Sequence, residues 1–351
     1  MSDFIVDKIT NRVGDTGTQI CGVTTFTGTS GMVIPGGPTE YRGGRGRGIV
    51  AGGDNPTYFS SMEFVEIATT GTSTDFGDML EAKRNMCGAS SSTRGVIMGG
   101  QISPGNYATK PIEYTIISSG GGSNDFGDLI STHLDGAGVT SDIRGFICGG
   151  FNQQNLIEYV TIASTGDATD FADLAEPGRQ LNAGCESSTR GIILGGYSGG
   201  SGDPHPAPNN ATSTIQFFNF ASQGDTTKFG ELTENVRNVI AVSDKTRGVR
   251  MGGYSESVNP AAFIDTIDYI TMASEGNATD FGNCLSVVLN GAPVQNRTRG
   301  LMMGGAAPGL DTNVIQFITI QTTGNATDFG DLLALRASVP AGMCDINASN
   351  S

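Results

Sequence analysis

Short apolar runs alternate with clusters of Gly, Ser, Thr, Asn and Asp along most of the chain, and the alternation has a period. Arg-Gly, three further residues and Gly-Gly recur from Arg47, Arg94, Arg144, Arg190, Arg247 and Arg299, at spacings of 47, 50, 46, 57 and 52 residues. Downstream of each lies an apolar segment rich in β-branched and aromatic residues: MEFVEIATT, PIEYTIISS, LIEYVTIAS, TIQFFNFAS, TIDYITMAS and VIQFITIQT. Each has the length and composition of one strand. A second signature follows, centred on Phe76, Phe126, Phe171, Phe229, Phe281 and Phe329 and written DFGDL at its most regular. Its Gly between acids reads as a turn whose aspartate oxygens cap backbone N–H groups. With the short segment before the next Arg-Gly, one period holds four strands. Six periods predict an all-β fold, a six-bladed β-propeller over residues 47–346.

The chain ends complement each other, whereas a linear stack of repeats carries atypical caps. The first Arg-Gly segment has no typical strand before it, and LRASVPAGMCDIN follows the last DFGDL. The C-terminal strand, within Arg336 to Ile346, is therefore expected beside Arg47 to Gly53, closing the ring and removing an open edge. Residues 1–46 fall outside the period. They read as an extended N-terminal docking arm, with Ile5, Val6, Ile9, Val13 and Ile20 among the apolar side chains available for burial on another chain. Residues 347–351 form a C-terminal tail.

Composition narrows the function. Gly supplies 53 of 351 residues, spread along the chain, which excludes long helices because each interior Gly costs about 1 kcal/mol relative to Ala. A formal charge of −15 sets nucleic acid aside as a partner. No apolar run approaches the length of a membrane span, so no membrane insertion is expected, and the acid-bearing N-terminus does not read as a secretory signal. Six cysteines without a CxxC pair and two histidines, His133 and His205, offer no zinc spacing, so no metal is expected and the thiols read as free. Neither a Ser/His/Asp order nor a phosphate loop is present, so no catalytic residue and no cofactor are expected and the chain does not read as an enzyme.

Two residue sets stand out. Arg47, Arg94, Arg144, Arg190, Arg247 and Arg299 must lie on one circle of a closed propeller, and their repetition assigns them a structural role, bonding carbonyls or the aspartates of the DFGD signature. The connections after Gly-Gly break the symmetry: five residues in the third repeat (Phe151 to Asn155), seventeen in the fourth (Tyr197 to Ser213). Variable connections on one face of a repeat scaffold mark a binding surface. Tyr58, Tyr107, Tyr197, His205 and Tyr254 are its candidate contacts.

The repeat resembles the kelch repeat, with an Arg before an inner small-residue strand, a hydrophobic strand ending in Gly-Gly and a later aromatic before a leucine. EAKRNMCGASSSTRGVIMGG has that order, and Arg84, Arg179, Arg237 and Arg336 take the kelch arginine position. Phe replaces the usual Trp at the aromatic position. Tandem TIASTGNATDFGDL-like segments followed by TRGxxxGG also resemble the kelch-like repeats of virion proteins from marine tailed bacteriophages, cyanophages in particular. That resemblance implies a viral structural protein of the virion, on its tail or capsid surface and assembled in the host cytoplasm. A tail-fibre or projecting adhesin for host attachment is the leading expectation. It would bind other virion proteins through residues 1–46 and a host envelope glycan or protein through the loop face, and a homo-oligomer is compatible with it. A non-adhesive tail nozzle, adaptor or capsid-decorating protein is the alternative, and a glycan-processing propeller enzyme the third.

Overall fold

The computed structural model describes residues 46–103, 107–151, 154–175, 178–198, 210–258, 260–338 and 340–345. The chain divides into two units, Met1–Thr39 and Glu40–Ser351, and every described residue lies in the second. Residues 1–45 of the expected arm, the tail and His205 lie outside the described residues. Among those described, every element is a β-strand, and the sheets are arranged like a β-propeller.

One pairing order recurs. In the third repeat, Ala137–Thr140, Arg144–Gly150, Gln154–Thr161 and Thr169–Asp173 pair antiparallel in sequence. We call these the glycine, RG, aromatic and Asp-Phe strands. The sixth repeat has the same order in Ala292–Gln295, Arg299–Ala307, Leu310–Thr319 and Thr327–Asp331. The first repeat takes its glycine strand from the other end of the chain: Ala341–Cys344 pairs antiparallel with Gly48 to Ala51. Repeats four and five share one sheet through Val236 opposite Ser255. RG strands lie between two neighbouring strands and are buried on both faces, which is why they read as uninterrupted apolar runs rather than as alternation.

The DFGD signature departs from its expected turn. In all six repeats it is a strand, such as Thr74–Asp78 or Thr327–Asp331, paired with the aromatic strand. The register slips at its phenylalanine: Met62 faces Gly77 and Glu63 faces Asp75, leaving Phe76 as the extra residue of a β-bulge. The same slip recurs at Phe126, Phe171, Phe229, Phe281 and Phe329. The glycine that resembled a turn residue has another cause. Gly330 holds φ +147°, and a Cβ there would collide with the Gly71 carbonyl of the first repeat. Gly71 N–H donates to Phe329 O (2.8 Å) and Ser73 N–H to Asp331 O (2.9 Å), so one repeat's hairpin tip covers the outer edge of its neighbour. The Ser73-type bond recurs from Ser123, Ala168, Thr226, Ala278 and Ala326 to the preceding repeat.

The bulge turns each phenylalanine inward, where all six are buried. Each meets the aromatic strand's ring edge to face: Phe64, Tyr114, Tyr159, Phe217, Tyr269 and Phe317 lie 5.9 to 6.0 Å from their partners. The RG arginine lies over each of those rings, 4.3 to 4.7 Å from the centroid. The same trio of Arg, aromatic and Phe side chains recurs in every repeat.

Candidate functional site

The connections between repeats meet at one end of the sheets, in a chain of left-handed residues. Asn85, Asp135, Leu181, Asn238, Asn290 and Ser338 all hold φ between +56° and +60°. Their peptides join in sequence: Asn85 N–H donates to Ser338 O, Asp135 to Asn85 O, Leu181 to Asp135 O, Asn238 to Leu181 O and Asn290 to Asn238 O, at 2.7 to 3.3 Å. Asn tolerates this conformation best of the side-chain-bearing residues, which explains three of the six.

Two arginines immediately before such an Asn tie the overlying loops together. Arg84 bonds Asp54 (2.7 Å) and Gln101 (2.8 Å) and lies 4.8 Å over the Tyr58 ring. Arg237 bonds Glu256 (3.0 Å) and lies 4.6 Å from the Tyr254 ring and 5.6 Å from that of Tyr197. The structure thus brings Tyr197 and Tyr254 together and sets Tyr58 in a matching cluster. Tyr107 joins neither and is 69% exposed. The surrounding tips include apolar side chains: Phe151, Val258 and Leu310 stand exposed in the connections of repeats three, five and six. Sequence reasoning missed Arg84 and Arg237 as loop anchors, although the Arg-Asn dipeptide occurring in both was a visible signal. At the edge of this face, burial and then the nearby Asp54 charge raise the Asp311 carboxyl above its ordinary range.

Arg84, Arg179, Arg237 and Arg336, read from the sequence as one repeating position, occupy two. Arg179 and Arg336 lie two residues before the left-handed residue and are fully buried, whereas Arg84 and Arg237 lie one residue before it and face the loops. The true equivalents in repeats two and three are Lys83 and His133, and in repeats five and six Val236 and Val288. These side chains serve a second repeating feature, a buried acid or amide on each aromatic strand. Glu63 holds Arg336 (2.7 Å), Glu113 holds Lys83 (2.6 Å) and Glu158 holds His133 (2.8 Å). In repeat five, where the position is Val236, the cation comes instead from Arg250 on the RG strand and pairs with Asp268 at 2.7 Å. In repeat six, Val288 and Met302 accompany the neutral Gln316. Five of these six groups accept a backbone N–H from the preceding repeat: Leu333 on Glu63, Leu80 on Glu113, Ile130 on Glu158, Thr233 on Asp268 and Leu285 on Gln316. In repeat four Gln216 acts through Thr226, which receives Ala175 N–H.

The RG arginines also cross between repeats, toward carbonyls. Arg47 bonds Ile117 O and Ser118 O, Arg94 bonds Ile162 O, Arg190 bonds Met272 O, Arg247 bonds Ile320 O, and Arg299 bonds Ile67 O and Ala68 O.

Gly88, Gly138, Gly184, Ala241, Pro293 and Gly342, one from the glycine strand of each repeat, line a cavity of about 60 Å³. That is room for a water or two and far below a ligand pocket. Among the described residues, no group of three or more His, Cys, Asp or Glu side chains is placed to hold a metal ion. Cys87, Cys148, Cys185, Cys284 and Cys344 are free and buried, and burial pushes Cys87, Cys284 and Cys344 up to about 12. Such thiols are neutral packing groups. The arrangement offers a broad, braced surface of aromatic and aliphatic tips. Compared with known proteins, the chain matches no family model and no curated protein.

Proposed function

We propose that the chain is a bacteriophage virion structural protein, a tail-fibre or projecting adhesin component built on a six-bladed, kelch-like propeller. Its loop face meets a host envelope glycan or protein, and residues 1–46 attach it to other virion proteins. Three bond types support closure by the C-terminal strand. They join repeat six to repeat one as they join consecutive repeats: Arg299 to Ile67 O, Leu333 N–H to Glu63, and Ser73 N–H to Asp331 O. The observation that carries the adhesin reading is the exposed set Tyr107, Phe151, Val258 and Leu310 on connections of unequal length, above linkers held rigid by their own hydrogen bonds. Uneven tips on a regular base suit recognition.

The test is a loop exchange. Replacing residues 197–213 with the five-residue connection of the third repeat should leave the melting transition in place and reduce adsorption of particles to host cells. Normal adsorption by such particles would favour a tail nozzle, adaptor or capsid-decorating protein. One observation favours that second reading: Leu80, Ile130, Leu285 and Leu333 occupy equivalent, exposed places around the rim, where neighbours in a particle would cover them.

A further inference from the structure

We propose that the loop face takes a protein of the host envelope rather than a glycan, one whose contact surface is apolar at its centre and rimmed by lysine and arginine. The inference rests on the adhesin reading, under which one partner covers loop tips and rim together. Its basis is where the exposed apolar side chains stand. Among the described residues, all the large ones except Ile116 and Ile143 lie at the end of the sheets from which the linkers and the variable connections emerge. Phe151, Val258 and Leu310 stand on connections, and Leu80, Leu285 and Leu333 on linkers.

The fold does not require the rim leucines. Their backbone N–H groups bond the next repeat, Leu80 to Glu113, Leu285 to Gln316 and Leu333 to Glu63. In repeats three and four Ala175 and Thr233 hold the same place, and their N–H groups bond onward in the same way. A leucine where alanine and threonine serve has no task inside the fold, and apolar side chains gathered at one end mark a contact with another protein.

The chemistry of the face disfavours a sugar. A glycan laid on aliphatic tips would desolvate its hydroxyl groups with nothing there to bond them. Three of the candidate tyrosines are already engaged. Tyr58 lies under Arg84 with its hydroxyl on Gln101, Tyr254 lies under Arg237 with its hydroxyl on Ala261 O, and the Tyr197 hydroxyl accepts Asn210 Nδ2. Tyr107 remains open. The charges point to the partner's rim. Cations at this end have partners of their own, Arg84 on Asp54, Arg237 on Glu256 and Lys110 on Ile130 O. Asp78, Asp128 and Asp331, each two residues before a rim side chain, are exposed and, like Glu81, form no ion pair among the described residues. Such acids attract a basic surface, and salt screens the attraction.

Binding of the labelled full chain to host cells tests this, with the cells untreated, protease-treated, or oxidised with periodate, which cleaves the vicinal diols of glycans. Protease should lower binding roughly tenfold or more and periodate should leave it unchanged, while raising NaCl from about 0.05 to 0.5 M should weaken it severalfold. Leu80→Thr with Leu333→Thr, copying the fourth repeat, should weaken it roughly tenfold with the melting transition in place. Binding that survives protease, is abolished by periodate or is indifferent to salt overturns this inference and leaves the adhesin reading standing. Undiminished binding by the folded double variant does the same. Absence of binding to untreated cells overturns both.

Discussion

Leu181 occupies a left-handed position that Asn fills in three other repeats, at φ +58°. A residue with a branched apolar side chain holds that conformation at a cost of roughly 1 to 2 kcal/mol. Leu181→Asn should therefore stabilise the protein by about 1 kcal/mol, read as a higher melting temperature. A lower one would mean that Leu181 packing outweighs the backbone strain. Single residues also explain what the sequence concealed. Gly77 and Gly330 sit between acids, the composition of a turn, yet each is a glycine because a neighbouring repeat's backbone passes where a Cβ would be. A close approach between residues far apart in sequence has no local signature.

The buried pairs belong to the scale of the element. Arg336 and Glu63 join the linker after the sixth Asp-Phe strand to the first aromatic strand, both out of contact with water. Arg336→Ala leaves Glu63 buried without its cation and should cost about 3 to 5 kcal/mol in urea unfolding. The double variant Arg336→Met with Glu63→Gln, which imitates the neutral sixth repeat, should lose much less; an equal loss would show that packing rather than charge is at stake. The Arg-Gly and aromatic strands were legible, because their segments recur along the chain, whereas the recurring Asp-Phe segment resembled a turn and is a strand. The pairing of cations with acids was not legible. Arg84, Arg179 and Arg237 all lie eight residues after their phenylalanine, and only the extra residue between Phe171 and Leu181 puts Arg179 at the buried position that Arg336 holds; in repeat five the cation shifts to another strand. His133, a lone histidine in the sequence, gains its meaning only from Glu158, 25 residues on. Glu158 adds an acid limit: hydrogen bonds from His133, the Ile130 N–H and Ser131 outweigh its burial and hold its carboxyl below the ordinary range. Its stabilisation is thus present above about pH 4.5 and lost as the pH falls through the lowered folded value.

At the scale of the molecule, the loop face was predicted as a region, but its internal grouping was not. Tyr197 and Tyr254 lie in different repeats, and Arg237 packs against both rings. The C-terminal strand is the other whole-molecule feature. Without residues 341–351 the Arg47–Ala51 strand would present a bare apolar edge, so the truncated protein should associate in light scattering at concentrations where the full chain stays monodisperse. Equal scattering from both would count against closure.

The position of that strand also governs how the protein bears a load. Gly46 leads directly into Arg47–Ala51, which is hydrogen-bonded to Ser61–Glu66 on one side and to Ala341–Cys344 on the other, while Gly46 O itself accepts Ile67 N–H. Bonds between antiparallel strands run perpendicular to them. A pull at Gly46 along the strand therefore strains both ladders in shear, all bonds at once, instead of peeling them singly. Through this route tension delivered at Gly46 is shared between two strands nearly 300 residues apart in sequence, Ser61–Glu66 and Ala341–Cys344.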